Sequence, residues 1–309
     1  MKRRRRRRRD GKHPLSRRGF LRGLGAGAAT AASAAAATVG TSACSTDWDK
    51  VFQKHYKEMT AADKKKVFAR IAAEAKQRFG KAVTVSDPQP LPGVRFAFCI
   101  SLSTCNGNRK CVHACVEENN QGRDPAIQYI KVIELDRGTL DLERGDQYYG
   151  GEVPRANKVY LPMQCNQCDN PPCVKVCPVE ATWKEPDGIV AIDYDWCIGC
   201  RYCMAACPYE ARRFNYHQPS LPASQLNTNQ GYLSNRVRPR GVVEKCHFCM
   251  HRTRRGAYPA CLEACPTGAR KFGDINDPDS EVHKIVKHKR VFVLKEELNT
   301  VPHVFYYFD

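Results

Sequence analysis

One run of twelve residues follows the cysteine spacing C-x2-C-x2-C-x3-C-P: Cys197-Ile198-Gly199-Cys200-Arg201-Tyr202-Cys203-Met204-Ala205-Ala206-Cys207-Pro208. With this spacing, three thiolates surround one iron-sulfur cluster and the fourth reaches across to a second cluster. Glycine at position 199 lets the backbone approach a cluster sulfide more closely than a residue with a side chain would. The run therefore predicts a fold built around at least two clusters.

Three further runs repeat this pattern with changes in the gaps. One precedes it and consists of Cys165, Cys168, Cys173, Cys177 and Pro178. Another follows it and consists of Cys246, Cys249, Cys261, Cys265 and Pro266. The first in chain order consists of Cys105, Asn108, Cys111 and Cys115, with asparagine where a cysteine is expected. Each run reserves a cysteine three residues beyond the others, which favours iron-sulfur clusters over separate tetrahedral zinc sites.

The four runs contain all but two of the 17 cysteines, and the two outside them are Cys44 and Cys99. Many cysteines in an exported protein usually indicate disulfides. Thiols only two or three residues apart converge on one point, however, and indicate a metal site. The clustering therefore favours metal.

The fourth cysteines are expected to cross over within two pairs of runs. The inner pair occupies residues 165–217, and the outer pair occupies residues 96–135 with 241–275. The predicted ligand sets are Cys165, Cys168, Cys173 and Cys207; Cys197, Cys200, Cys203 and Cys177; Cys246, Cys249, Cys261 and Cys115; and Cys105, Cys111 and Cys265 with Asn108 in the odd position.

Asn108 determines the prediction for the last set. An amide is a poor ligand for iron, so the iron at that corner is expected to be loose or absent. We therefore predict three 4Fe-4S clusters and one 3Fe-4S cluster. One alternative is a 4Fe-4S cluster with Asn108, water or another residue at the corner. Cys99 is another candidate for the missing ligand, although a buried structural cysteine is the favoured interpretation.

Five other side chains lie beside the ligands in sequence. His113, His247 and His251 are interpreted as residues that support the ligands or lie at the surface, because the thiolates already nearly complete the ligand count. Trp183 and Trp196 are interpreted as core residues that shield the clusters.

Residues 1–43 are predicted to be a twin-arginine export signal. A basic run over residues 3–9 precedes Ser16-Arg17-Arg18-Gly19-Phe20-Leu21, and an apolar stretch follows over residues 24–39. The sequence Thr-Ser-Ala-Cys at 41–44 fits cleavage after Ala43, or lipidation with Cys44 as the anchored N-terminus. Both interpretations predict a protein on the extracytoplasmic, periplasmic face of the membrane.

The net charge of +18 raises the question of a nucleic-acid partner. Residues 1–43 contain twelve Lys and Arg against one Asp, so +11 belongs to this segment and +7 to the rest. Four oxidised clusters would contribute about minus eight. The remaining excess of basic residues is therefore interpreted as compensation for cluster charge, and no nucleic-acid partner is predicted.

The rest of the chain is divided into a helical extension with a linker at 44–95 and a cluster-binding body at 96–309. Apolar residues from Val67 to Phe79 recur at helical spacing, and three prolines mark residues 85–93 as linker. Strands are predicted at 126–135, 159–163, 188–193 and 290–294. Residues 218–240, rich in Pro, Asn and Ser, are predicted to be a surface insertion. Short strands and helical turns around cysteine loops indicate an α+β fold.

The residues resemble those of a known family, the four-cluster iron-sulfur subunits of molybdopterin oxidoreductases such as dimethyl sulfoxide, polysulfide and tetrathionate reductases. The resemblance covers about residues 96–309 and is carried by Cys165-Asn166-Gln167-Cys168-Asp169-Asn170-Pro171-Pro172-Cys173, by Cys197 to Cys203 and by Glu244-Lys245-Cys246. It implies two pseudo-symmetric bacterial-ferredoxin-like domains with loop insertions. It also implies a line of clusters between a quinone-reactive membrane subunit and a catalytic or cytochrome subunit.

The sequence has no haem-attachment C-x-x-C-H, no phosphate-binding G-x-G-x-x-G and no nucleophile elbow. Substrate chemistry is therefore expected in another chain. We expect an electron-transfer subunit of a respiratory complex, with a multi-span quinone-binding membrane subunit and either a molybdopterin catalytic subunit or a multihaem cytochrome as partners. The alternatives are a free periplasmic polyferredoxin and, from another class, a structural zinc protein that binds nucleic acid.

Overall fold

The computed structural model describes residues 53–309, so the predicted export signal and Cys44 lie outside the described residues. The strands in this part of the chain are β1 (Thr84–Ser86), β2 (Phe96–Ser101), β3 (Lys131–Asp136), β4 (Lys158–Met163), β5 (Thr182–Lys184), β6 (Val190–Ile192), β7 (Arg212–Phe214), β8 (Asn229–Gly231), β9 (Val243–Lys245), β10 (Arg270–Asp274), β11 (Val291–Phe292) and β12 (Val304–Tyr307). The helices there are α1 (Ala61–Phe79), α2 (Lys110–Glu118), α3 (Pro172–Lys175), α4 (Tyr202–Ala205), α5 (Met250–Thr253), α6 (Ala260–Glu263) and α7 (Glu281–His288). This mixture of short strands and helices agrees with the predicted α+β class.

The largest sheet has the strand order β10-β2-β12-β11. Its central strand β2 pairs antiparallel with β10 and parallel with β12. Phe98 and Ile100 of β2 point into the main core, whereas Ala97 and Cys99 pack on the other face with α7. Burial on both faces removes the alternation that would signal a strand. Within this sheet, the sequence pattern therefore predicts only the segment 290–294, of which Val291–Phe292 is a strand.

Three antiparallel strand pairs surround the cysteine runs: β3 with β4, β5 with β6, and β7 with β9. The predicted strands at 159–163 and 188–193 correspond closely to β4 and β6. The strand predicted at 126–135 begins only at Lys131. Ile127, Tyr129 and Ile130 are buried in the core without a strand partner, so their apolar alternation reflects core packing.

The predicted helix of the N-terminal extension is α1. Thr60 and Asp63 form a capping box at its start, and Gly80 ends it with a left-handed φ of 68°. Ile71 and Ala75 are its buried residues. The extension is part of one compact unit with the body. Within residues 53–309, no helix combines the length and the apolarity needed to cross a bilayer.

Two predictions for the loops need correction. Residues 84–86, at the start of the predicted linker, form β1, which pairs in parallel with β8 inside the predicted surface insertion. Within that insertion, Tyr232, Asn235 and Arg238 are almost fully buried. Asn235 accepts a hydrogen bond from the Gly231 amide at 2.7 Å and donates to the Asn229 carbonyl at 3.0 Å. The polar composition that suggested a surface loop therefore satisfies buried backbone groups.

Candidate iron-sulfur sites

The cysteines of residues 53–309 are free thiols and form no disulfide. Fifteen of them gather in four groups, each holding the crossing cysteine of the paired run. Site 1 comprises Cys105, Cys111 and Cys265 with Asn108; site 2 comprises Cys115, Cys246, Cys249 and Cys261; site 3 comprises Cys165, Cys168, Cys173 and Cys207; and site 4 comprises Cys177, Cys197, Cys200 and Cys203. The structure thus brings together the side chains of each predicted ligand set.

The crossing arises from helix packing. The short helices α3 and α4, which lie within the two inner runs, pack against each other, and α2 packs against α6 in the same way. Cys173 lies on α3 and Cys203 on α4, while Cys111 lies on α2 and Cys261 on α6. Each helix therefore presents its sulfur atoms near those of the partner run.

Asn108 lines the cavity of site 1 together with Cys105, Cys111 and Cys265. Its Oδ1 accepts a hydrogen bond from the Lys110 amide at 2.8 Å, and its Nδ2 donates to the Asn106 side chain. Both ends of the amide are thus engaged within their own loop. This arrangement agrees with a corner of site 1 that lacks a thiolate.

Cys99 does not contribute to site 1. It is completely buried on the opposite face of β2, in a cluster with Ala97, Val282 and Ile285. Its Sγ faces the Val282 carbonyl at 3.9 Å, and burial raises its pKa to about 12. Cys99 therefore occupies the structural position that the sequence analysis favoured.

Site 2 is the most deeply buried group. Burial raises the pKa of Cys115 and Cys246 well above the ordinary value, and neighbouring thiolates raise it further. The Gln121 amide donates to the Cys115 sulfur at 3.2 Å, and the Asn119 amide donates to it at 3.5 Å. Neither residue is predicted from the sequence, although side-chain amides four and six residues after a fourth cysteine can donate to a ligand sulfur.

Site 3 is formed mainly by the second run. Burial raises the pKa of Cys168 to about 12, with contributions from Cys165, Cys173 and Cys207. The guanidinium of Arg212 donates to the Cys173 sulfur at 3.0 Å. The sequence patterns above do not predict this contact, although Arg212 and Arg270 share a position five residues after a fourth cysteine.

Site 4 contains Cys200, which is exposed, whereas the other described cysteines are buried or half-buried. Backbone amides of Val243 and Gly199 hydrogen bond to the Cys197 sulfur, against the larger effect of burial, which raises the pKa of Cys197. Gly199 has a left-handed φ of 70°, and an added Cβ would lie 2.1 Å from the Gly241 carbonyl oxygen. Glycine is therefore required here by a close backbone approach, and its amide serves a ligand sulfur.

Electrostatic interactions between thiolates of neighbouring groups indicate that the four sites lie in a series. In addition to burial, the thiolates of Cys111 and Cys265 raise the pKa of Cys261, so site 1 neighbours site 2. In addition to burial, the Cys165 thiolate raises the pKa of Cys246, so site 2 neighbours site 3. The Cys173 thiolate likewise adds to the effect of burial and raises the pKa of Cys203, so site 3 neighbours site 4. The four thiol groups therefore follow one another in the order 1, 2, 3, 4.

The aromatic and histidine residues take supporting positions. Trp183 is a core residue that stacks on Tyr56, with ring centroids 5.8 Å apart, and Trp196 donates to the Val179 carbonyl at 2.8 Å. His113 is exposed. His247 and His251 are buried, which lowers the pKa of both, and the Nε2 of His251 lies 2.7 Å from Glu118.

The residues fit iron-sulfur clusters better than single metal ions. A structural zinc holds its sulfur ligands about 2.3 Å from one centre. Within residues 53–309, no three His, Cys, Asp or Glu side chains are arranged to hold one ion. The sulfur atoms instead surround small cavities at sites 1 and 4. Arg270 lines the site 1 cavity, and its buried Nη2 has no hydrogen-bond partner, so a cluster sulfide would supply the acceptor.

Four such groups of thiols, held by short helices and strand pairs, define an iron-sulfur protein of the ferredoxin type. Residues 156–229 and 232–275 match the family model of the 4Fe-4S dicluster domain. Together with the relatives described next, this match shows that the chain belongs to the family of iron-sulfur electron-transfer subunits of reductase complexes, as the cysteine runs predicted.

Three relatives illustrate the similarity. A selenate reductase subunit of Mesobacillus selenatarsenatis is 42% identical over 71% of this chain and 73% of its own length. The iron-sulfur cluster-binding subunit of the menaquinone reductase of Nitratidesulfovibrio vulgaris is 41% identical over 69% of this chain and 88% of its own length. A tetrathionate reductase subunit of Salmonella typhimurium is 37% identical over 70% of this chain and 73% of its own length.

Proposed function

We propose that this chain conducts electrons through four clusters, three of the 4Fe-4S type at sites 2 to 4 and one of the 3Fe-4S type at site 1. The observation that carries the proposal is the continuous series of four thiol groups, which reaches from the Asn108 loop to the exposed Cys200. Each cluster, when bound, takes up and releases an electron. The chain holds the sulfur ligands, donates hydrogen bonds to them and buries the four cysteines of site 2 away from water.

The same body is proposed to consist of two pseudo-symmetric ferredoxin-like domains, an inner one at sites 3 and 4 and an outer one at sites 1 and 2. The packing of α3 on α4 and of α2 on α6 supports this division. Arg212 and Arg270 provide further support. Each is the fifth residue after the fourth cysteine of its run and the first residue of a strand.

Metal analysis tests the function directly. Anaerobically purified protein is expected to be brown and to contain about fifteen irons per chain, which is three cubes and one three-iron cluster. Colourless protein with stoichiometric zinc would instead support the structural zinc alternative.

The proposed partners are a multi-span quinone-binding membrane subunit and a molybdopterin catalytic subunit or multihaem cytochrome. Relatives named as subunits of menaquinone, selenate and tetrathionate reductases support membership of such a complex. Ile198, Tyr202 and Tyr216 are exposed apolar residues in or near the run of site 4 and are suited to a protein contact. Size-exclusion of the native membrane extract is expected to show a larger complex with a co-purifying membrane subunit. A lone species of monomer mass would favour the free polyferredoxin.

Changing Asn108 to Cys is expected to convert site 1 from a three-iron to a four-iron cluster. The new thiolate would hold the missing corner iron, so iron content rises by about one per chain and the reduction potential of site 1 falls. Electron paramagnetic resonance of the oxidised protein should lose the three-iron signal. Asn108→Ser serves as the control and should keep it. Four full cubes in the unmodified protein would contradict the assignment.

Export by the twin-arginine route, with the mature protein on the periplasmic face, is also proposed. Replacing Arg17 and Arg18 together with Lys keeps the charge but removes the paired guanidinium groups. The protein should then accumulate in the cytoplasm, as measured by cell fractionation. The matched control replaces Arg3 and Arg4 with Lys and should be exported normally. Normal export of the first variant would rule out this signal.

A further inference from the structure

Six cationic side chains are buried in residues 53–309, and they fall into two classes. Arg236, Arg238 and Arg254 pair with Asp195, Glu244 and Asp187, at distances of 2.9, 2.6 and 2.7 Å. Arg212, Lys245 and Arg270 are as deeply buried but form no ion pair with a carboxylate. An unpaired buried charge costs several kcal/mol. The three unpaired cations therefore need another source of negative charge.

Each unpaired cation lies at a junction between consecutive sites. Arg270 faces Cys261 of site 2, with Nη1 to Sγ 3.8 Å, and also lines the cavity of site 1. Arg212 donates to Cys173 of site 3 and also lines the cavity of site 4. These two arginines hold equivalent positions in the inner and outer pairs of runs.

Lys245 occupies the middle junction. Its Nζ donates to the carbonyl of Cys246, a site 2 residue, at 2.9 Å. It also lies 3.4 Å from Oε1 of Gln167, which stands between two cysteines of site 3. Gln167 in turn donates to the Cys246 carbonyl at 2.7 Å. The ammonium group is therefore held between the loops of the two sites.

The pKa values of the two arginines agree with this placement. Burial opposes the charge of Arg212, but the thiolates of Cys173, Cys203 and Cys165 outweigh it and raise its pKa. In Arg270, the thiolates of Cys111, Cys261 and Cys105 outweigh the effect of burial in the same way and raise its pKa. For each arginine, the groups that favour the charged form come from both neighbouring sites.

We propose that Arg270, Lys245 and Arg212 are shared counter-charges, each of which raises the reduction potentials of the two clusters at its junction. This inference rests on the proposed four clusters. A cluster becomes more negative when it accepts an electron, so a fixed positive charge beside it favours the reduced form. Because each cation serves two clusters, it favours an electron on either side of the junction.

The test is a redox titration of the intact holoprotein, followed by electron paramagnetic resonance. Arg270→Gln, Lys245→Gln and Arg212→Gln are each expected to lower the potentials of two clusters, at sites 1 and 2, 2 and 3, and 3 and 4. The ratio of oxidised to reduced cluster at a fixed potential should rise at least tenfold, which equals 59 mV for a one-electron couple. Arg270→Gln should shift the site 1 signal, whereas Arg212→Gln should leave it unchanged.

Control variants separate charge from packing. Arg212→Lys and Arg270→Lys keep the charge and should retain most of the unmodified potential. The double variant Asp187→Asn with Arg254→Gln removes a buried guanidinium without changing the net charge, and should leave all four potentials unchanged. If the Gln variants lose iron, their potentials cannot be compared, and the iron content of the Lys variants decides. Full iron content in the Lys variants would support the counter-charge proposal. Iron loss equal to that of the Gln variants would overturn the proposal.

Two outcomes distinguish this inference from the proposed function. Unchanged potentials in the Gln variants of a protein that holds all four clusters would overturn the counter-charge proposal and leave the proposed function intact. Unmodified protein without clusters would overturn the proposed function itself.

Discussion

Replacing Cys207 with Ala is expected to remove the cube at site 3 and to leave site 4 occupied. In sequence Cys207 belongs to the run that supplies site 4. In the structure its neighbours are Cys165 and Cys173. Burial raises the pKa of Cys207, and the thiolates of these two neighbours raise it further. Replacing a residue that only hydrogen bonds to a metal ligand already lowers metal affinity or activity roughly 10–100-fold. Loss of the ligand itself should cost at least as much, and site 3 should lose iron.

Spectroscopy of single variants checks this prediction. Cys207→Ala and Cys165→Ala should lose the same component of the reduced spectrum, and Cys200→Ala should lose a different one. Cys99→Ala is the control, because Cys99 is buried away from the sites, and it should keep its full iron content. If Cys207→Ala and Cys200→Ala lost the same component, the fourth cysteines would not cross over and the ligand sets would need reassignment.

Replacing Glu244 with Ala is expected to lower the free energy of unfolding by about 3–5 kcal/mol. Glu244 is completely buried and pairs with Arg238 at 2.6 Å. It also accepts hydrogen bonds from Tyr129 at 2.5 Å and Asn215 at 2.6 Å. Truncation would leave the Arg238 charge unpaired and the Tyr129 and Asn215 donors unsatisfied.

The measurement is the denaturant concentration at which cluster absorbance is lost under anaerobic conditions. Glu210→Ala is a matched control, because Glu210 pairs with Lys131 at 2.9 Å but its side chain is 80% exposed. Exposed pairs contribute about 0–1 kcal/mol. Equal stability of the two variants would show that the buried pair contributes no more than a surface one.

The cysteine groups could be predicted because their signal is local. Spacings of two and three residues place thiols within reach of one cluster, and the reserved fourth cysteine predicts crossing between runs. The predicted sets and the structural groups coincide for all fifteen cysteines. The helix of the extension was equally accessible, since its apolar spacing and its capping residues lie in one continuous segment.

The central sheet and the buried insertion were not predicted, because their signals depend on distant partners. Strand β2 is buried along its whole length, and its neighbours β10 and β12 lie far along the chain. In residues 218–240, polar composition suggested solvent exposure. Tyr232 and Asn235 are nevertheless buried, because other segments satisfy their polar groups.

Four cysteine runs that indicate iron-sulfur clusters, and the asparagine at position 108 that interrupts one of them, can be read from the chain directly, because ligand type and spacing lie in consecutive residues. The order of the sites, and the positions of Arg212, Lys245 and Arg270 between them, depend on the folded arrangement. A buried charge is defined by which groups surround it. For these three side chains, those groups come from runs far apart in the chain.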